Sequence, residues 1–203
     1  MTHSPVEFKL LGNTEPAAQS LGLMPQGIGF PDHDVEPAVS GWVSIQVQEV
    51  LRAQSFVDQD PTGLGVALQL TLGAAQTTTE FDVDALGNVT CLVADEYQIG
   101  IKISTGRTGA GGISQIYARL LLNGVQAGNS THTIVDNDRI EIPATYDVTT
   151  NLAVNDVLTF EIIRDTDGTD EGGIRAGIPD VVGWNSSPSI AVVMTRTVAL
   201  VAS

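Results

Sequence analysis

Tyr97-Gln98-Ile99-Gly100-Ile101-Lys102-Ile103 is the stretch whose pattern sets the fold class. Bulky apolar side chains alternate with small or polar ones at a period of two, the pattern of a strand with one face in a core and the other in solvent. The same alternation places Val43, Ile45 and Val47 between Ser44, Gln46 and Gln48, and Val66, Leu68, Leu70 and Leu72 around Ala67, Gln69 and Thr71. Further strands are expected over 81–83, 89–93, 116–122, 139–142, 157–163 and 190–198. Turn clusters separate them, among them Asp84-Ala85-Leu86-Gly87-Asn88. Asn123-Gly124 is a strong tight-hairpin signal, because both residues accept positive φ. No segment keeps a helical apolar stripe, and no internal repeat occurs. Eight or nine strands at this spacing predict an all-β fold, a jelly-roll sandwich of two antiparallel sheets.

Composition agrees. Of 203 residues, 57 are Val, Ile or Thr, the β-branched types that fit a pleated sheet better than a crowded helical turn. Charged residues make up only 16%, against about 25% in an average soluble domain, while the apolar share is ordinary. That is a folding composition, and a single domain is expected at this length. With 9 Lys+Arg against 24 Asp+Glu the chain carries a formal charge of −15, which repels phosphate backbones and anionic lipid. Nucleic acid and membrane are therefore not expected as partners. The first ten residues lack a basic leader followed by an apolar run, so no secretory signal is expected. Cys91, the only cysteine, can form no internal disulfide and reads as a small buried hydrophobe.

Residues 1–40 differ from the rest. Five of the nine prolines and four glycines fall there and break regular structure, predicting an extended N-terminal arm ahead of a jelly-roll domain over 41–203.

Several turn spacings resemble the tumour-necrosis-factor-like jelly roll, shared with the globular head of the first complement component and with many phage virion proteins. The stretch from Asp84 to Ile103 is similar to that family's turn, short strand, second turn and aromatic-led strand, with Gly87 and Tyr97 at its recurrent Gly and Tyr. Ala118-Arg-Leu-Leu-Leu-Asn-Gly-Val resembles its strand ending in Asn-Gly. Leu152-Ala-Val-Asn-Asp-Val-Leu-Thr-Phe-Glu-Ile-Ile resembles its turn-aspartate-strand element, with Asn155 where Gly is usual, and Ser187–Arg196 resembles its closing strand. The resemblance covers about residues 75–200. It implies a homotrimer, and it makes Tyr97 and Phe160 core residues.

Catalytic motifs are missing. Neither Lys9 nor Lys102 follows a glycine, as a phosphate-binding loop requires, and Gly106–Gly112 lacks the dinucleotide fingerprint and reads as a flexible loop. His3, His33 and His132 lie far apart, outside any zinc-binding spacing. Ser114 and Ser130 both fail the Gly-x-Ser-x-Gly pattern. The acidic run Asp165-Thr-Asp167-Gly-Thr-Asp170-Glu171 departs from the calcium-loop spacing and reads first as a solvated loop, with an irregular calcium site or a glycan-cleaving carboxylate pair as the weaker options. No enzyme and no cofactor are expected.

Composition, arm and resemblance together lead to a structural virion protein: a bacteriophage capsid decoration (cement) protein, trimeric on the outer capsid surface, whose arm bridges neighbouring subunits of the major capsid protein. The expected interface residues are Phe8, Leu10, Leu11, Leu21, Leu23, Met24 and Phe30 in the arm, with Trp42 and Trp184 as amphipathic contacts. The alternative is a phage receptor-binding or tail-tip module that recognises a host surface ligand through its end loops.

Overall fold

A computed structural model describes residues 43–107, 112–136, 141–169 and 171–201. Among them are twelve strands: β1 Val43–Ser55, β2 Leu68–Gln69, β3 Gln76–Thr77, β4 Phe81–Val83, β5 Val89–Cys91, β6 Asp95–Gly106, β7 Ser114–Leu122, β8 Val125–Val135, β9 Glu141–Leu152, β10 Val157–Arg164, β11 Gly173–Ile174 and β12 Ile190–Val201. Residues 49–196 form one compact unit. The outer ends of β1 and β12, Val43–Gln48 and Thr197–Val201, belong to a second.

The larger unit is an all-β sandwich of two antiparallel sheets, compatible with a jelly roll. In the first sheet β6 pairs with β9 along its whole length, from Asp95↔Leu152 to Gly106↔Glu141. β12 and then β11 follow each other along its other edge, and β1 lies beside β12. In the second sheet β10 is central, with β7 along one edge and β5 and β2 along the other; β8 continues beyond β7, and β4 and β3 beyond β5.

The expected alternation is what joins the sheets. Tyr97, Ile99, Ile101 and Ile103 all turn inward beside Met194, Val192 and Ile190 of β12, while Leu120, Phe160, Ile162 and Val89 fill the core from the other side. The ring of Phe81 on β4 meets the edge of Tyr97 on β6, centroids 4.9 Å apart at 68°, a favoured aromatic geometry that spans the two layers. Cys91 is fully buried, and burial pushes its thiol pKa up.

Turn chemistry follows the sequence. Asn123 (φ 51°) and Gly124 (φ 79°) both take positive φ between β7 and β8, and Asn155, where the resemblance expects Gly, has φ 71°. Three strand expectations change. The alternating run 66–72 pairs only at Leu68–Gln69: Leu70 and Leu72 are buried, but the backbone N–H of Thr71 donates to the side chain of Gln59 instead of to a strand. β8, which returns from the Asn123-Gly124 hairpin, has no run among the expected strands, and β9 is far longer than the expected 139–142, because both strands turn mostly polar side chains outward.

Candidate functional site

Of the residues expected at an interface, Phe8, Leu10, Leu11, Leu21, Leu23, Met24, Phe30 and Trp42 lie outside the described residues. Trp184 is described, and it lies on the solvent surface of one end of the sandwich. Gly177 and Ser187 exchange backbone hydrogen bonds of 3.0 and 2.8 Å, which close residues 178–186 into a loop. At its tip the N–H of Trp184 donates to the carbonyl of Val181 (3.3 Å), with Gly183 at φ 91° in the third position, as a type II turn demands. The turn holds apolar side chains in water: Ile178 is 78% exposed, Val181 62%, Val182 100% and Trp184 75%. Phe56 and Val57, at the end of β1, are also exposed. Ser189 ties the two segments together, its N–H donating to Ser55 O (2.9 Å) and its hydroxyl to Val57 O (2.7 Å).

Beneath this tip is a framework of buried cations. Arg175 donates through Nη2 to Asp60 Oδ1 (2.7 Å) and through Nη1 to Ile174 O (3.1 Å). Arg164 donates through Nε to Gly172 O (2.7 Å) and through Nη2 to Pro61 O, and Arg107 donates to Gly112 O. Asp58 Oδ1 accepts the N–H of Ala176 (2.8 Å), and Gln59 trades backbone bonds with Ile174 while its side chain spans to Thr71. Arg164 and Arg175 each reach an oxygen of the chain-distant loop at Asp60-Pro61, more than 100 residues away, so the segment leading into the apolar loop is cross-linked to the chain after β1. Single exposed hydrophobes are ordinary on a protein surface. Several grouped on one braced end are the signature of a contact surface.

The remaining candidates do not converge. Asp167 is exposed while Oε2 of Glu171 is buried and has no hydrogen-bond partner among the described residues, and Asp170 lies outside them. Among the described residues no three His, Cys, Asp or Glu side chains gather in a way that could hold a metal ion. His132 stacks on Tyr117, centroids 4.5 Å apart, and His3 and His33 lie outside the described residues. Ser114 is buried, with its hydroxyl held by Glu171 O and 3.3 Å from Thr169 Oγ1. No helix of the described chain is long and apolar enough to cross a membrane.

Phe56 and Val57 were not singled out in the sequence. The available signal was an apolar pair set immediately before the turn-forming run Asp58-Gln59-Asp60-Pro61. No protein-family model matches this chain, and no curated protein matches it.

Proposed function

We propose that this chain is a structural virion protein, a bacteriophage capsid decoration protein that sits as a homotrimer on the outer capsid surface and bridges neighbouring capsid subunits. The braced apolar tip around Val182 and Trp184 carries the reading. It is a hydrophobic anchor on a loop closed at its base by the Gly177–Ser187 hydrogen bonds, which lowers the ordering cost of binding. Full burial of a side chain such as Ile178 or Val182 would contribute roughly 1.5–3 kcal/mol, so a few such residues suffice to seat each subunit. The arm over 1–40, with its apolar Phe8, Leu10, Leu11, Leu21, Leu23, Met24 and Phe30, would add contact across subunit boundaries, and Trp42 would contribute where arm and sandwich join. The resemblance to the tumour-necrosis-factor-like jelly roll supports the trimer, and the surplus of 24 acidic over 9 basic residues suits basic loops on the capsid.

The test is sedimentation of the full-length protein and of a Val182→Ser/Trp184→Ser variant, each with and without undecorated phage capsids. Co-sedimentation of a trimer, weakened at least tenfold in the variant at unchanged thermal stability, is the expected result. A trimer that ignores capsids overturns the reading in favour of a receptor-binding or tail-tip module.

A further inference from the structure

The outer face of the second sheet carries a cleft of about 240 Å³ over β7, β8 and β10, with Ala67 at its border. Two neighbouring rungs of the sheet build it. Ile163, Tyr117 and His132 sit side by side on the first, since Ile163 pairs with Tyr117 and Tyr117 with His132. Glu161 and Arg119 pair on the second, and there the register breaks: Ala118 faces Thr131 but Leu120 faces Ala127, so three residues of β8 stand opposite Arg119 alone. Ser130, within this enlarged bulge, and Gln126, just beyond it, stand at the rim. Bulges of this kind commonly re-aim side chains beside functional sites.

The polar groups are left half used. Arg119 spends both Nε (2.9 Å) and Nη2 (2.7 Å) on the single oxygen Oε2 of Glu161. Its Nη1 hydrogens and the Oε1 lone pairs of Glu161 then have no partner among the described residues. Likewise Gln126 Nε2 donates to Ser130 Oγ (3.1 Å) and to Gly128 O (3.2 Å), which leaves the Ser130 proton and Gln126 Oε1 without a partner among the described residues. The cleft thus offers donor beside acceptor twice, with the two formal charges cancelling. Beside them Tyr117, held by its stack on His132 at an interplanar angle of 24°, together with Ile163 and Ala67, gives a flat apolar wall.

We propose that this cleft binds a neutral saccharide unit. A vicinal diol presents hydroxyls that each donate and accept, which matches the paired free groups, and a pyranose ring has an apolar C–H face that packs on an aromatic ring. An ionised ligand would be attracted to one member of the Arg119–Glu161 pair and repelled by the other. At about 240 Å³ the space falls below the usual range for drug-sized ligands and suits a single ring. The site is distinct from the apolar end of the sandwich, so a decoration protein carrying it would also hold glycan at its surface.

Saturation-transfer NMR on the full-length protein tests this with glucose, galactose, mannose and N-acetylglucosamine as probes, and with sialic acid and glucosamine as charged counterparts. Transfer to at least one neutral sugar is expected, reduced at least tenfold by Glu161→Gln and by Tyr117→Leu. Ser130→Ala, an exposed change that cannot unfold the sheet, should weaken it several-fold, and Val182→Ser/Trp184→Ser should leave it intact. No transfer to any neutral sugar, preference for a charged one, or transfer that survives both Glu161→Gln and Ser130→Ala overturns the proposal.

Discussion

Glu80 is a carboxylate with only 5% of its surface exposed, and two side chains compensate its burial. Arg196 Nη2 approaches Oε1 at 3.0 Å, and the Tyr97 hydroxyl shares its proton between Oε2 (2.9 Å) and the carbonyl of Val93 (2.7 Å). Arg196 also reaches Asp95 at 3.5 Å. Burial first, then the bond and charge of Glu80, hold the Tyr97 phenol well above its ordinary pKa, so it stays a neutral donor. Removing the charge of Glu80 leaves Arg196 with only the longer contact to Asp95. Glu80→Gln should therefore cost about 3 kcal/mol in chemical denaturation. Tyr97→Phe should cost about 1–2 kcal/mol, by stranding two acceptors. A loss under about 0.5 kcal/mol for Glu80→Gln, the range of an ordinary surface substitution, would show that this network is not structural.

At the scale of elements, the turns decide register. The Asp84–Asn88 turn is closed on its own carboxylate: Oδ1 of Asp84 accepts the N–H of Leu86 (2.8 Å) and of Asn88 (2.9 Å), and Oδ2 the side chain of Asn88 (2.6 Å). Gly87 has φ 88°, and a Cβ there would lie 2.1 Å from the carbonyl oxygen of Leu70. Both strain and clash oppose any other residue. Gly87→Ala is expected to destabilise by roughly 2–4 kcal/mol, whereas Asn155→Gly, at a position with positive φ but an existing side chain, should stay within about 0.5 kcal/mol. Thermal unfolding of the two variants checks this. A loss of only about 1 kcal/mol for Gly87→Ala, the cost of the positive φ alone, would mean that conformation, and not the close approach to Leu70, sets the requirement at 87.

For the whole molecule the governing quantity is the surplus of acid, −15 at neutral pH. Titrating it toward the isoelectric point near 4.2 relieves self-repulsion and should raise stability slightly. Below that a second effect takes over. Asp84 is held below its ordinary pKa chiefly by the Asn88 side chain, and Asp156 by the N–H of Ala153 and the side chain of Asn123. A carboxyl whose folded-state pKa is depressed contributes stability above its unfolded value and loses it as pH falls through the folded one. Stability should thus decline from about pH 4 downward. An Asp84→Asn/Asp156→Asn variant should be less stable at pH 7 yet show a shallower acid limb, read from urea midpoints across pH. An acid limb as steep as the parent's would place the responsible carboxylates elsewhere.

Much of this was legible in the chain alone. The period-two run at 97–103, the strand at 157–163, the Asn123-Gly124 hairpin and the buried Cys91 follow from local chemistry, because side-chain alternation and left-handed backbone need no information from distant residues. β8 was not legible. It is an outer strand, and its run Gln126–His132 is almost wholly polar, so no hydrophobic period marks it. Its bulge arises only in pairing with β7, and the Arg119–Glu161 pair joins residues 42 positions apart. Trp184 could be flagged as an amphipathic residue in a loop, but its exposure depends on how Arg175, Asp58 and Ser189 fasten three separate segments beneath it. The sequence by itself determined which residues face inward along each strand, since that is a property of neighbours in the chain. Only the tertiary structure decided which polar groups meet and which apolar ones are left in water, since those depend on contacts between residues far apart in the chain.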